Sequence, residues 1–437
     1  MTIQNLFDFL HSGVSPFHAV AHAAALLEQA GYTKLEEADY WNLEPGHGYY
    51  ITRNNSSAVA WRIPMHAIGG WRITASHSDS PTWKVKNTKV VAAGCTKLNV
   101  EGYGGMIMST WLDRPLTVAG RALVRTEEGL QARLVYLDRD LLTIPSLAIH
   151  MDRKVNDGHA FNPQTELQPL YGPENCRPLT ALLAQELGVA EKDIVDTDLT
   201  LCTRQAPTQI GPEGEYFMAP RIDDLECAAT TLYAFLEAAP QTDSACAPVW
   251  AMLDNEEVGS GTRQGAQSMF LRDTLDRIAQ AIPHSAQAQQ RCFANSVCLS
   301  ADNAHATHPN AADKADPANP VRMGGGVVIK VNASQKYTTN ALSGAIFKEI
   351  CRSAGVPVQQ FANRADLPGG STLGNLQSHT VPVPMVDIGL AQLAMHSAVE
   401  TAAVADAQAM VTAVAAFYRA HLRNLGDGTY TLECAEK

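Results

Sequence analysis

Residues 248–262 read PVWAMLDNEEVGSGT, an apolar run followed closely by two adjacent glutamates. The run at 248–253 predicts a buried strand, and Glu256 and Glu257 then fall just past its carboxyl end. The stretch itself holds no lysine or arginine to neutralise them. Because an ionised Glu is rarely buried unless it is paired or binds metal, this pair indicates a polar site at the end of a strand.

Other apolar, β-branched segments indicate further strands of the same sheet. Strands buried on both faces of a parallel sheet read as nearly continuous apolar runs. Helical patterns lie between them, for example at 221–239, where apolar positions recur at helical spacing. The sequence therefore predicts an α/β fold with a mixed, largely parallel sheet flanked by helices. The strand segments are WRITAS at 71–76, SVCLSA at 296–301, GVVIKV at 326–331 and VPMVDIGL at 383–390.

Residues 91–211 have a different character. Short alternating runs such as LTVAGRALVR at 116–125 and LQARLVYL at 130–137 are typical of half-buried strands, and one helix is predicted at 179–188. We therefore predict that residues 1–90 and 212–437 form one α/β domain. Residues 91–211 form a β-rich domain inserted into it.

Composition narrows the class of protein. The chain has 437 residues, 46% of them hydrophobic, which is enough for two or more ordinary domains. The formal charge is −12 without a Lys/Arg cluster, which argues against a nucleic-acid partner. No apolar run approaches the roughly 18 residues of a membrane span, and no signal-peptide pattern opens the sequence. We expect a cytoplasmic protein without a membrane partner, whose nine cysteines, lacking any C-x-x-C, are reduced.

Several acids and imidazoles follow predicted strands. In open α/β sheets, ligands collect beyond the carboxyl ends of the strands, so these side chains are expected at one rim. One more acid stands at the start of the helix predicted at 221–239. The residues are His77 and Asp79 after 71–76, Asp223 at the helix start, Glu256 and Glu257, Asp302 after 296–301, and His396 in the loop after 383–390.

Histidine with carboxylates is a ligand set that suits zinc and its neighbours. The sequence has no HExxH motif of a single-zinc peptidase. Two metals need a bridging carboxylate and about four flanking ligands, an arrangement found in aminopeptidases. One metal would take His77, Asp223 and Asp302, and the other would take Asp223, Glu257 and His396.

Two acids remain for other tasks. Asp79 is placed to orient the imidazole of His77, and Glu256 is left to take a proton from a metal-bound water. Each feature alone has an ordinary alternative: HSD at 77–79 as a surface turn, the glutamates as a solvated pair, Asp223 as a helix N-cap, and His396 as a structural residue. Spacing by itself leaves the dinuclear site and these alternatives both open.

Ordered motifs along the chain resemble the aspartyl aminopeptidase family, peptidase family M18. The resemblance covers essentially the whole sequence. Its main motifs are ASHSDSP at 75–81, PRIDDL at 220–225, LDNEEVGS at 253–260, SADNAHATHPN at 300–310, VIKVN at 328–332 and QLAMHS at 392–397. Further matches are SPFHAV at 15–20, the stretch at 101–121 and IPSLAIHMDRKVNDG at 144–158.

The resemblance implies a cytoplasmic exopeptidase of the dinuclear zinc type. It would remove the N-terminal residue, preferentially Asp or Glu, from peptides, with two Zn²⁺ per subunit that Mn²⁺ or Co²⁺ could replace. The two metals would polarise the scissile carbonyl and activate a bridging water. Carried over motif by motif, the general base falls on Glu256 and the orienting acid on Asp79. The metal ligands fall on His77, Asp223 as the bridge, Glu257, Asp302 and His396.

The resemblance also implies an assembly. The β-rich insert would be a dimerisation domain, and the dimers would join into a tetrahedral dodecamer. His150 resembles a residue that reaches from one subunit toward the active site of a neighbour.

Substrate contacts are implied by motif position. His308, Lys330 and Tyr337 are the candidates to bind an acidic side chain, although Lys330 could equally face solvent. PGGSTLG at 368–374 is interpreted as the family's Gly-rich loop, with an ordinary turn as the alternative. Asp224 stands where the family commonly has Asn, and residues 311–326 depart from the family pattern.

Two other functions compete with this interpretation. One is a related dinuclear hydrolase that acts on neutral N-terminal residues or on acylated amino acids. The other is a non-catalytic assembly protein that kept the fold, although a scaffold has no need of a free base such as Glu256.

Overall fold

The computed structural model describes residues 1–239 and 246–434, which form two compact units. The first unit consists of Met1–Asp79, Pro207–Met395 and Glu400–Lys437, and the second of Ser80–Ala206 and His396–Val399. The boundaries predicted from the sequence are 90/91 and 211/212. The assignment of the units as a catalytic and a dimerisation domain stays a prediction.

The helices are α1 (Ile3–Ser12), α2 (Pro16–Gln29), α3 (Leu179–Leu187), α4 (Ile222–Ala238), α5 (Phe270–Ala281), α6 (Ala286–Ala294), α7 (Ala341–Ala354), α8 (Leu373–Gln377) and α9 (Val404–Arg419). Short 3₁₀ turns lie at Met108–Trp111, Val155–Asp157, Glu191–Asp193, Glu256–Val258 and Ala312–Lys314. Among the described helices, none combines the length and the apolar sequence that crossing a bilayer requires.

The strands of the first unit are β1 (Thr33–Lys34), β2 (Gly48–Arg53), β3 (Ser57–Arg62) and β4 (Gly70–His77). Those of the second unit are β5 (Thr82–Ala92), β6 (Cys95–Tyr103), β7 (Leu116–Thr126), β8 (Gly129–Tyr136), β9 (Leu170–Pro173) and β10 (Ile194–Thr203). The first unit continues with β11 (Thr208–Ile210), β12 (Tyr216–Ala219), β13 (Cys246–Leu253), β14 (Val297–Ala301), β15 (Ala304–His305), β16 (Val327–Val331), β17 (Val358–Ala362), β18 (Met385–Gly389), β19 (Ala391–Leu393), β20 (Glu400–Ala403), β21 (His421–Gly426) and β22 (Thr429–Glu433).

The main sheet of the first unit has nine strands within the described residues, in the order β1-β2-β3-β13-β4-β14-β18-β16-β17. Its central pairs β13–β4, β4–β14 and β14–β18 are parallel, whereas β2–β3, β3–β13 and β16–β18 are antiparallel. This confirms the predicted mixed, largely parallel sheet. Because parallel strands end together, the carboxyl ends of β13, β4, β14 and β18 meet at one rim.

Strand β13 shows why its sequence is an apolar run. All eight of its residues are buried. Trp250 and Met252 point into one hydrophobic cluster, while Val249 and Ala251 point into the cluster on the other face of the sheet. Both faces are covered, so alternation of polar and apolar residues is lost.

The second unit is rich in β-structure. Its strands form a sheet in the order β8-β7-β10-β5-β6-β9, and every neighbouring pair is antiparallel. The alternating runs at 116–125 and 130–137 correspond to β7 and β8. Strand β5 begins at Thr82 and pairs with β6 and β10, which explains why this unit starts earlier than residue 91.

Candidate metal centre

Three neighbouring strands place polar residues at the rim of the main sheet. β4 ends in His77, Asp302 directly follows β14, and Glu256 and Glu257 form the 3₁₀ turn after β13. Leu253 at the end of β13 pairs with His77 in register, so the glutamate turn begins next to the imidazole. His77 and Asp79 are 1% and 0% exposed, so the surface-turn alternative for residues 77–79 is wrong.

Helix α4 brings two more acids to His77. The Oδ1 atom of Asp223 lies 3.4 Å from His77 Nε2, and the His77 backbone N–H donates to Asp224 Oδ2 over 3.0 Å. Both acids have non-helical backbone angles, and a cis peptide bond links them. These angles interrupt α4 at Asp223 and Asp224, so the regular part of the helix begins after them and the N-cap alternative for Asp223 stays open.

Ligand atoms of these side chains are close enough to share a metal. Single atoms of His77, Asp223 and Asp302 all lie within 4.8 Å of one another, and so do atoms of His77, Glu256 and Glu257. The first group is the ligand set that the sequence analysis gave to one metal. The roles of these residues stay predictions, but the fold does bring their ligand atoms together.

Asp79 connects the imidazole to the glutamate turn. Its Oδ1 accepts the Glu256 backbone N–H and its Oδ2 accepts the Glu257 backbone N–H, each over 3.1 Å. Oδ1 also lies 3.4 Å from His77 Nδ1, which is 3.0 Å from the Asp79 carbonyl oxygen. Sequence reasoning predicted the contact with His77 but missed the two amide contacts, which fix where the turn lies.

The electrostatics of the cluster fit a cation. Burial raises the pKa of Glu256 to about 8, with His77 lowering it and Asp302 raising it again. Burial and the charge of Asp223 raise the pKa of Glu257 well above its usual range. Burial lowers the pKa of His77, but the carboxylates of Asp224, Asp223 and Asp79 outweigh that effect and raise it. Buried carboxylates that repel one another are the environment in which a divalent metal is bound.

Lys330 is buried beside Asp302. The side chain is 3% exposed, so the solvent-facing alternative is wrong. Its Nζ donates to Asp302 Oδ1 over 2.9 Å and to the Asn303 carbonyl oxygen over 2.8 Å. The ammonium also lies 5.6 Å from the ring centroid of Tyr337, which is buried. Contacts of Lys330 and Tyr337 with substrate stay predictions.

Three further histidines were predicted to serve the site. His308 is exposed, and its Nδ1 accepts the Asn310 backbone N–H over 3.1 Å. His150 is exposed in the second unit. His396 also belongs to the second unit, where its Nδ1 lies 2.6 Å from the Gly105 carbonyl oxygen. Their roles as substrate contacts and as a metal ligand stay predictions.

Sequence reasoning missed several supporting residues. Glu400 is buried, and its Oε2 accepts the backbone N–H of Asp223 over 3.0 Å. Asn303 donates to Glu226 Oε2 over 2.8 Å and accepts from the Cys227 thiol over 3.1 Å. Their positions next to ligand motifs were the available signal, but polar residues near a motif are too common to single these out.

Comparisons with known proteins agree with this geometry. A family model described as aminopeptidase I zinc metalloprotease (M18) matches residues 9–418. A probable M18 family aminopeptidase 2 from Clostridium novyi is 39% identical over 92% of this chain and 94% of its own length. The protein of the same description from Pseudomonas aeruginosa (strain UCBPP-PA14) is 38% identical over 95% of this chain and 97% of its own length.

Solved structures are similar over the same range. Ape4, from a cryo-EM structure of its complex with Nbr1, is 34% identical with a TM-score of 0.92, covering 95% of this chain and 85% of its own. The mApe1 dodecamer of S. cerevisiae is 26% identical with a TM-score of 0.84, covering 95% of each chain.

Proposed function

The chain belongs to the M18 family of aminopeptidase zinc metalloproteases, and we propose that it removes N-terminal Asp or Glu from peptides with two zinc ions per subunit. One observation carries this proposal: ligand atoms of His77, Asp223 and Asp302 lie within 4.8 Å of one another, with the glutamate turn beside them. A scaffold protein would have no use for such a costly group of buried charges.

In this proposal one zinc is held by His77, Asp223 and Asp302, and the other by Asp223, Glu257 and His396. Mn²⁺ or Co²⁺ would substitute, because carboxylate and imidazole ligands also accept these ions. Two metals bound here would supply Lewis-acid polarisation of the scissile carbonyl and a water of lowered pKa.

Glu256 moves the proton. Its backbone is fixed by the bond from its N–H to Asp79, while its side chain shares the rim with His77 and Glu257. Burial raises its pKa, and the positive charge of bound metals would lower it again, which would leave Glu256 as a carboxylate able to accept a proton. Glu256 would accept a proton from the attacking water and return it to the leaving amine.

The acidic preference is assigned to a local cation. The chain has a net charge of −12, so the overall field repels an acidic substrate and capture depends on local basic or hydrogen-bonding groups. Lys330 and Tyr337 lie together beside Asp302, which supports their assignment to the pocket for the first residue. His308 is the third candidate, by motif position.

The second unit is proposed to form dimers that assemble into a tetrahedral dodecamer. Support comes from the mApe1 structure, which is described as a dodecamer and covers 95% of this chain. His150, which is exposed in this unit, would then reach toward the active site of a neighbouring subunit.

A peptide panel tests the function. Purified protein is treated with chelator and reloaded with zinc, manganese or cobalt, and release of N-terminal Asp, Glu, Leu and acylated residues is measured. We expect metal-dependent release that is fastest for Asp and Glu. Preference for neutral or acylated residues would leave the metal site intact but refute the assigned pocket. No cleavage by metal-loaded protein would favour an assembly role.

A further inference from the structure

Lys330 is a buried cation whose two hydrogen bonds from Nζ go to a proposed zinc ligand and to the residue that follows it. β16 carries it into the first unit's core with 3% of its side chain exposed. A buried ammonium is stable only if it is paired and hydrogen-bonded. Here Asp302 Oδ1 supplies the opposite charge at 2.9 Å, and the Asn303 carbonyl oxygen accepts a second bond at 2.8 Å.

The Asp302–Asn303 segment is held from a second side as well. The Asn303 side chain donates to Glu226 over 2.8 Å and accepts from the Cys227 thiol over 3.1 Å, and both partners lie on α4. Helix α4 also carries Asp223, the proposed bridging ligand. Lys330 and α4 therefore both bond to the Asp302–Asn303 dipeptide, which links the position of Asp302 to the helix that carries Asp223.

We infer that Lys330 is a positioning residue of the metal centre. Its bond to Oδ1 of Asp302 restricts rotation of that carboxylate, whose other oxygen would then be available to a metal. Partners of this kind orient metal ligands, and their loss typically weakens metal binding about 10- to 100-fold. This role rests on the proposed function for the metal, and it is separate from the predicted contact between Lys330 and an acidic substrate.

Two effects of Lys330 on zinc have opposite signs. Its positive charge repels the metal, so charge alone predicts that removing it tightens zinc binding. Its hydrogen bond orients the ligand, so orientation alone predicts that removing it weakens binding. The sign of the change in zinc affinity therefore decides between them.

The experiment measures zinc affinity of the full chain by competition with a chromophoric chelator, without peptide present. The variants are Lys330→Met, Asp302→Asn and the double variant Asp302→Asn/Lys330→Met. The control is Lys348→Met, which removes an exposed lysine bonded to Gln360 on the surface. The double variant removes both members of the ion pair, so it leaves no unpaired charge in the core and is measurable even if Lys330→Met does not fold.

We expect Lys330→Met to weaken zinc binding about 10- to 100-fold while Lys348→Met matches the wild type. In the Asp302→Asn background, adding Lys330→Met should cause no further loss, since the lysine acts through that carboxylate. Unchanged or tighter zinc binding in Lys330→Met overturns the inference, as does a further loss in the double variant. Wild-type protein that neither binds zinc nor cleaves peptides refutes the proposed function instead.

Discussion

Glu256 and Glu257 are neighbours in sequence, yet their assigned tasks differ. Glu257 is a proposed zinc ligand, whereas Glu256 is left to carry a proton. We expect Glu256→Gln to keep zinc and to lose at least about 10²-fold in turnover, since the amide cannot accept the proton. Zinc content by mass spectrometry and turnover of an Asp-peptide check this.

Two comparisons sharpen that prediction. Asp223→Ala should lose zinc itself, because Asp223 is the proposed bridge between the two metals. Glu127→Gln, an exposed change in the second unit, should alter neither zinc content nor turnover. Near-normal turnover of Glu256→Gln would rule out its role as the base.

At the scale of elements, strand β18 fixes the position of the Asp302 backbone. The Asp302 backbone N–H donates to Ile388 over 3.0 Å, and a Cβ added at Gly389 would lie 2.0 Å from the Asp302 carbonyl oxygen. Gly389→Ala must therefore push the strand and the ligand apart. We expect a lower melting temperature and weaker zinc binding.

The control for that variant is Gly102→Ala in β6. A Cβ there meets Met106 at 3.6 Å and Trp83 at 3.9 Å, ordinary contact distances. This variant should keep the melting temperature and zinc affinity of the wild type. If Gly389→Ala behaves in the same way, the close packing of β18 on Asp302 does not position the ligand.

Helix α2 carries a pH-sensitive contact. His18 Nδ1 lies 2.8 Å from the hydroxyl of Ser15, the N-cap residue. Burial, together with the charge of Arg221, lowers the pKa of His18 to about 4. Between pH 6.5 and 4, His18 is therefore protonated in the unfolded chain but neutral in the folded chain. Its contribution reduces the free energy of unfolding as the pH falls through that window.

The test compares the midpoints of urea-induced unfolding at pH 7 and pH 5. Wild type should lose more stability on acidification than His18→Gln, which has no titrating group at this position. His11→Gln, which removes an exposed histidine on α1, should behave like the wild type. Equal losses in wild type and His18→Gln would show that this histidine titrates alike in both states.

At the scale of the whole molecule, the proposed dodecamer makes catalysis a property of more than one chain. Light scattering should give a mass twelve times the 47.1 kDa of one chain. If His150 serves a neighbouring subunit, Glu256→Gln and His150→Ala should each be impaired alone. Coexpressed, they should recover part of the activity, because some sites then combine an intact Glu256 with an intact His150.

Separately purified variants, mixed without exchange of subunits, are the control and should recover nothing. Activity of His150→Ala equal to wild type, or coexpressed oligomers as inactive as the parent variants, would contradict a shared site. A smaller mass would contradict the dodecamer but not the shared site.

The sequence by itself determined the elements. Apolar runs at 71–76 and 248–253 fall within β4 and β13, and the pattern at 221–239 coincides with α4 to within one residue at each end. These predictions hold because both signals can be read from consecutive residues: the helical spacing of apolar residues, and the continuous apolar run of a strand that is covered on both faces. The ends of the strands then indicated where His77, Asp302 and the glutamates gather.

Only the tertiary structure decided which groups touch. Asp79 accepts amides 177 and 178 residues away, and Lys330 pairs with Asp302 from a strand of its own. The sequence left Lys330 undecided between solvent and substrate, because a single lysine in a strand carries no sign of its partner. Such pairs depend on the order of strands in the sheet, which is set by packing of the whole chain rather than by local pattern.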